Sequence, residues 1–145
     1  MKPAMELFDL TGFLIHRTDM KLTNFFIRKL KPYSVTPEQW GIISVLDGDR
    51  ALTQKEIAEA IDRDQSTVVR MIASLEKKDM VKRVQNNDDR RSHNLFLSAK
   101  GMQLKTSLLP VVREAHEVLT RNLSQAELAL LHDTLHKLYL NVKED

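Results

Sequence analysis

Between Thr53 and Leu97 two helix-start signals follow in quick succession, and then comes a basic, turn-rich segment held between two short apolar runs. Few folds accept that order. Thr53 with Glu56 three residues on makes a capping-box pattern, in which hydroxyl and carboxylate each satisfy an amide that the first turn leaves without a partner. Ile57, Ala58 and Ile61 follow as a short apolar stripe. The helix should stop near Asp62, because Asp62-Arg63-Asp64 has no apolar side chain to bury. Asp64 is a good N-cap for a second helix. In that helix Val68, Met71, Ile72 and Leu75 recur at helical spacing and face inward. The opposite face carries Gln65, Ser66, Arg70, Ser74 and Lys77, with Thr67 at its edge.

Val81 to Gln85 and His93 to Leu97 are short enough, and apolar enough, to pair as strands. The Asn and Asp residues between them tolerate turn and left-handed conformations, so the segment reads as a hairpin with a polar tip. From Lys77 to Arg91, the cations Lys77, Lys78, Lys82, Arg83, Arg90 and Arg91 outnumber the anions Asp79, Asp88 and Asp89, while the whole chain carries only +2. Such a patch neutralises phosphates and releases their counterions. Gln and Arg can bond bidentately to purine edges in a major groove, and Ser and Thr are small enough to let a helix approach closely. A helix pair followed by a basic hairpin describes a winged helix-turn-helix. The competing reading is a polar face and loop that are merely solvated. The run of neutral donors and acceptors on the second helix, in place of alternating Glu and Lys, weighs against it.

The chain resembles the MarR family of bacterial winged-helix transcriptional regulators over nearly its full length. The wing signature of that family stands here as Asp89-Arg90-Arg91, then Leu97-Ser98 and Gly101, and the run from Asp64 to Val81 is also family-like. The resemblance implies that Arg91 enters the minor groove with Asp89 supporting it. Gln65, Ser66, Thr67, Arg70 and Ser74 would face the major groove, and Gln54, Lys77 and Arg90 the DNA backbone. Two positions depart from the pattern. Asp79 stands where the family usually has Gly, and Asn87 where it often has Pro.

The remainder of the chain is expected to be helical, giving a mainly α fold with a small β-hairpin wing. A first helix should run from near Pro3 to about Leu30, with Leu7, Leu10, Leu14, Phe25, Phe26 and Leu30 apolar, and Lys31-Pro32 should end it. Thr36-Pro37-Glu38-Gln39 opens another, carrying Trp40, Ile43, Val45 and Leu46, with Gly48 as its stop. Ser98 should cap a long helix to about Arg121 with Pro110 inside it, and Ser124 with Glu127 the last helix. The 145 residues suit one unit: a DNA-binding lobe over 33–97 and helical dimerisation regions over 1–32 and 98–145. These terminal helices carry more apolar stripe than a domain of this size can bury alone, which argues for association. By resemblance they interlock with a twofold mate, so that paired recognition helices meet successive major grooves of a partly palindromic operator.

Double-stranded DNA and a second copy are therefore the expected partners. The family also implies a small aromatic or anionic effector, for which His16, Arg17, Met20 and Trp40 are the candidate pocket. Arg17 would pair a carboxylate or equally sit in a structural ion pair, and Trp40 would flank a ring, although a place in the core is the plainer role for Trp40. His132 and His136 share a helix face at metal-ligand spacing, with His116 conceivable as a third, but surface or interface histidines explain them more simply. No cofactor is expected. The chain has no cysteine, which rules out a thiol switch within it, and its four glycines are unclustered. No nucleophile–base pair or phosphate-cradling loop marks an enzyme. No apolar run is long enough to span a membrane and no leader pattern opens the chain, so the default expectation is a cytoplasmic location. A winged-helix module that binds protein and does not read DNA is the alternative.

Overall fold

The computed structural model describes residue 6, residues 10–85, residue 88 and residues 93–144. Helices α1 (Thr11–Leu30), α2 (Pro37–Val45), α3 (Gln54–Ile61) and α4 (Gln65–Lys77) precede strands β1 (Val81–Gln85) and β2 (His93–Leu97), and α5 (Ala99–Leu119) and α6 (Gln125–Val142) close the chain. The chain divides into two compact units, Met1–Val112 and Arg113–Asp145.

The helix starts follow from local chemistry. Thr36, Thr53 and Ser124 each form a complete capping box, with Gln39, Glu56 and Glu127 as the reciprocal partners. Ser98 opens α5: its Oγ accepts from Gly101 N at 3.0 Å and donates to the Asp79 carbonyl at 2.6 Å. Gly101 is needed there, since a Cβ at that position would lie 2.2 Å from the Met80 carbonyl oxygen. α5 continues through Pro110, without the one backbone bond that proline cannot donate.

Two boundaries differ from the sequence reading. α1 begins at Thr11, not near Pro3: Leu10 is extended, and Thr11-Gly12 are weak helix formers with no side-chain cap before them. Pro3 and Leu7 themselves lie outside the described residues. α2 ends at Val45, before Gly48, because tertiary bonds take the chain out of the helix. Lys105 Nζ donates to the Leu46 carbonyl at 2.8 Å, and Leu97 N donates to the Asp47 carbonyl at 2.7 Å.

β1 and β2 pair antiparallel with Val81 opposite Leu97 and Gln85 opposite His93. Leu52 adds a bridge to Leu95, exchanging both backbone bonds at 2.9 and 2.7 Å, so the hairpin is tied to the segment just before α3. Leu30, Ile42, Ile43, Leu46, Ile57, Val68, Ile72, Leu75, Leu95 and Leu108 are fully buried in one cluster. The inward stripe of α4 packs on α2, α3 and β1, and its other face is left outward.

Candidate nucleic-acid interface

The geometry of the outward face begins at the α3–α4 turn. Asp62 takes the left-handed conformation at φ 55, and Arg63 N returns to the Ala58 carbonyl at 3.0 Å. α4 can therefore start at once, and Asp64 caps it. The carboxylate of Asp64 accepts from the Ser66 hydroxyl, from Thr67 Oγ1 at 2.7 Å and from Thr67 N at 3.0 Å. The Ser66 hydroxyl first, and then the Thr67 hydroxyl and amide, hold the Asp64 carboxyl well below the usual carboxylate range. Arg70 Nη2 reaches Thr67 Oγ1 at 3.4 Å, so the guanidinium lies over the first turn of its own helix.

Gln65, Ser66, Val69, Arg70, Ala73 and Lys77 are exposed along this face. The carboxylates of α4 and its cap are already bound internally. Asp64 serves the cap, and Glu76 holds Arg83 of β1 through bonds of 2.7 and 3.4 Å. The face is left cationic and rich in neutral polar groups. A hydroxyl has one proton to donate. Those of Ser66 and Thr67 are committed to Asp64, so toward a base edge these oxygens act as acceptors.

The other residues singled out in the sequence fall as follows. Thr67 is half-buried at the edge of the face. Ser74 is also half-buried, and its Oγ accepts from Gln39 Nε2 at 2.9 Å. Gln54 occupies the first position of α3 and is half-buried; Lys77 is exposed in the last turn of α4. Asp89, Arg90 and Arg91 lie outside the described residues. The cationic patch is thinner than composition suggests. Arg83 is paired with Glu76, and Lys78 Nζ is spent on the Ser34 carbonyl at 2.6 Å and Gln39 Oε1 at 3.3 Å.

Of the candidate effector residues, His16, Arg17 and Met20 are exposed on α1, while Trp40 is half-buried and packs against the core from α2. A cleft of about 610 Å³ opens between the end of α1 and the start of α2, lined by Thr23, Ile27, Lys31, Val35 and Pro37 among others, and it includes none of those four. His132 and His136 are exposed on α6, and no cluster of three potential ligands that could hold a metal occurs among the described residues.

Sequence reasoning missed a polar hub at Gln39, which is only 8 % exposed. Its Oε1 accepts from Thr36 N and Lys78 Nζ, and its Nε2 donates to Ser74. The capping-box pattern marks Gln39 in the sequence, but nothing local signals that its free amide reaches α4, 35 residues away. Val69, an exposed apolar side chain on the polar face, was also passed over.

The MarR family model matches residues 35–93, the span from just before α2 to the start of β2. A protein of Thauera aromatica assigned to transcriptional regulation of the hcr operon is 29% identical over 129 residues, covering 88% of this chain and 78% of that protein. Among solved structures, E. coli MarR in complex with operator DNA superposes with a TM-score of 0.84 at 26% identity, covering 92% of this chain and 99% of that one. The transcriptional repressor CouR bound to a 23-mer duplex gives 0.83 at 27% identity, covering 95% and 98%. The outer face of α4 with its carboxylates bound internally, the hairpin after it and these likenesses agree: over residues 35–93 the chain is similar to the MarR family of winged-helix transcriptional regulators.

Proposed function

We propose that two copies of this chain bind a partly palindromic operator in the cytoplasm and act as a ligand-responsive repressor. The outward face of α4 carries this reading, because its neighbouring carboxylates Asp64 and Glu76 are bound internally while Gln65, Arg70 and Lys77 stay exposed. The lobe over 33–97 meets DNA, and the helices over 1–32 and 98–145 pair the copies. Gln65 and Arg70 read base edges in the major groove; Ser66, Thr67 and Ser74 line the approach. Gln54, Lys77 and Arg90 contact the backbone, and Arg91, supported by Asp89, enters the minor groove. Exposed apolar side chains on α1 (Leu14, Ile15, Met20, Ile27) and on α6 (Leu130, Leu131, Leu135, Leu140) supply the surface for the second copy. A small aromatic or anionic effector, with Arg17 pairing a carboxylate and His16, Met20 and Trp40 around it, shifts operator affinity by preferring one spacing of the recognition helices.

A mobility-shift titration tests this with the DNA upstream of the protein's own gene against a scrambled duplex of equal length, at physiological salt. Affinity should be roughly a thousandfold or more in favour of the former. Equal affinity for both would leave only a module that binds other proteins.

A further inference from the structure

Val69 is 42 % exposed, and its place on α4 assigns it a task. Gln65 and Ser66 stand one turn before it, Arg70 is its neighbour, and Ala73 follows one turn later; all four are exposed. The core on this helix is filled by Val68, Met71, Ile72 and Leu75, so Val69 adds nothing to it. A β-branched side chain in a helix also loses rotamer freedom and gives less helix propensity than Ala or Leu. It is the one sizeable apolar group on a face otherwise made of hydrogen-bonding, cationic and methyl-sized side chains.

We propose that Val69 is a specificity-determining residue that reads the 5-methyl group of a thymine in the major groove. This rests on the DNA-binding reading of α4 given above. The thymine methyl is the only apolar group that a base pair presents in that groove, and small apolar side chains recognise it by contact. Valine suits the task because one χ1 rotamer dominates in helices, so its methyl groups are fixed before DNA arrives. Ala73, carrying only a methyl, leaves room for the duplex backbone and base edge beside it. Position narrows the prediction further. Four residues of helix rise about 6 Å, and bases in B-DNA step about 3.4 Å. The thymine therefore lies within about two base pairs of the base that Gln65 engages, once in each half-site.

The test selects a preferred duplex from a random-sequence pool with the wild-type protein, then replaces each thymine in it, one at a time, with deoxyuridine. That exchange removes the methyl and keeps the pairing. At one thymine per half-site the wild type should weaken roughly three- to tenfold, the size expected for one buried methyl. Val69→Ala should bind the unmodified duplex more weakly by the same factor and be indifferent to deoxyuridine at that position. Its melting temperature should match or exceed the wild type's, since Ala is the better helix former. If the wild type selects a sequence but no thymine exchange separates it from Val69→Ala, the assignment to Val69 is wrong and the DNA-binding reading stands. If the wild type enriches no sequence, the DNA-binding reading falls and takes this one with it.

Discussion

At Asp79 the chain leaves α4 with φ 59, a left-handed conformation that side chains other than glycine adopt at a cost. What repays it is the turn that follows: Asp79 N returns to Glu76 O, Met80 N to Leu75 O, and the Asp79 carbonyl accepts from Ser98. Asp79→Gly keeps those bonds and removes the strain, offset in part by glycine's greater freedom when unfolded. The variant should melt a few degrees higher in differential scanning calorimetry with operator affinity unchanged; a lower melting temperature would mean that the Asp side chain itself does something for the turn. Asp64 gives a second prediction at this scale. Hydrogen bonds from Ser66 and Thr67 depress its folded-state pKa. Its stabilising contribution is then complete above the unfolded value near about 4 and is lost as pH falls through the folded value. Asn still caps a helix but does not ionise. Wild type and Asp64→Asn should therefore hold a constant stability gap from neutral pH down to about pH 5, and the gap should close in more acid solution. Urea titrations across that range measure it. A gap that widens in acid would show that the carboxylate is not what the cap depends on. Because Asp64 is open to solvent, the effect is screened and modest.

Between elements, the polar hub at Gln39 ties the start of α2 to α4 and to the turn at Ser34. Gln39→Leu fills similar volume and removes all three side-chain bonds, leaving Thr36 N without its reciprocal cap and Ser74 and Lys78 without a partner amide. The loss should be about 1–3 kcal/mol in chemical denaturation, the range for a half-buried polar group left unsatisfied. Operator binding should fall as well, since α4 loses an anchor on the side next to Arg70. Stability within a few tenths of a kcal/mol of wild type would show that water replaces the glutamine. Gln39 also marks how far the elements were legible in the sequence. The capping boxes at Thr36, Thr53 and Ser124 were readable because each needs only two residues three apart. The inward stripe of α4 and the pairing of Val81–Gln85 with His93–Leu97 were readable from periodicity and turn composition. The contacts of Gln39 with Ser74, of Lys105 with the end of α2, and of Leu52 with Leu95 were not, because each joins residues distant in sequence with no local pattern to announce them. The same blindness counted Lys78 and Arg83 as free cations when the fold consumes both.

For the molecule as a whole, charge says little and its placement says more. A net charge of +2 gives no strong long-range attraction to DNA. Affinity must then come from the few cations left unpaired on one face, where each neutralised phosphate releases counterions. Arg70 and Lys77 share that face but are set for different work. Arg70 is held over the first turn of α4 by Thr67, whereas Lys77 stands in the last turn; on the function proposed above, the first reaches base edges and the second a backbone phosphate. The two truncations should separate in a salt titration. Lys77→Ala should weaken operator and scrambled DNA about equally and reduce the slope of log affinity against log salt by about one for each copy bound. Arg70→Ala should cost roughly 1–3 kcal/mol on the operator, much less on scrambled DNA, and relax selection at one base pair per half-site. If both variants lose the same amount on both duplexes, α4 acts only as a cationic surface, and sequence reading must reside in the hairpin. The slope change also counts copies, because a dimer with two Lys77 contacts loses about twice what one contact gives. The salt titration of a single variant therefore reports on the interface and on the stoichiometry together.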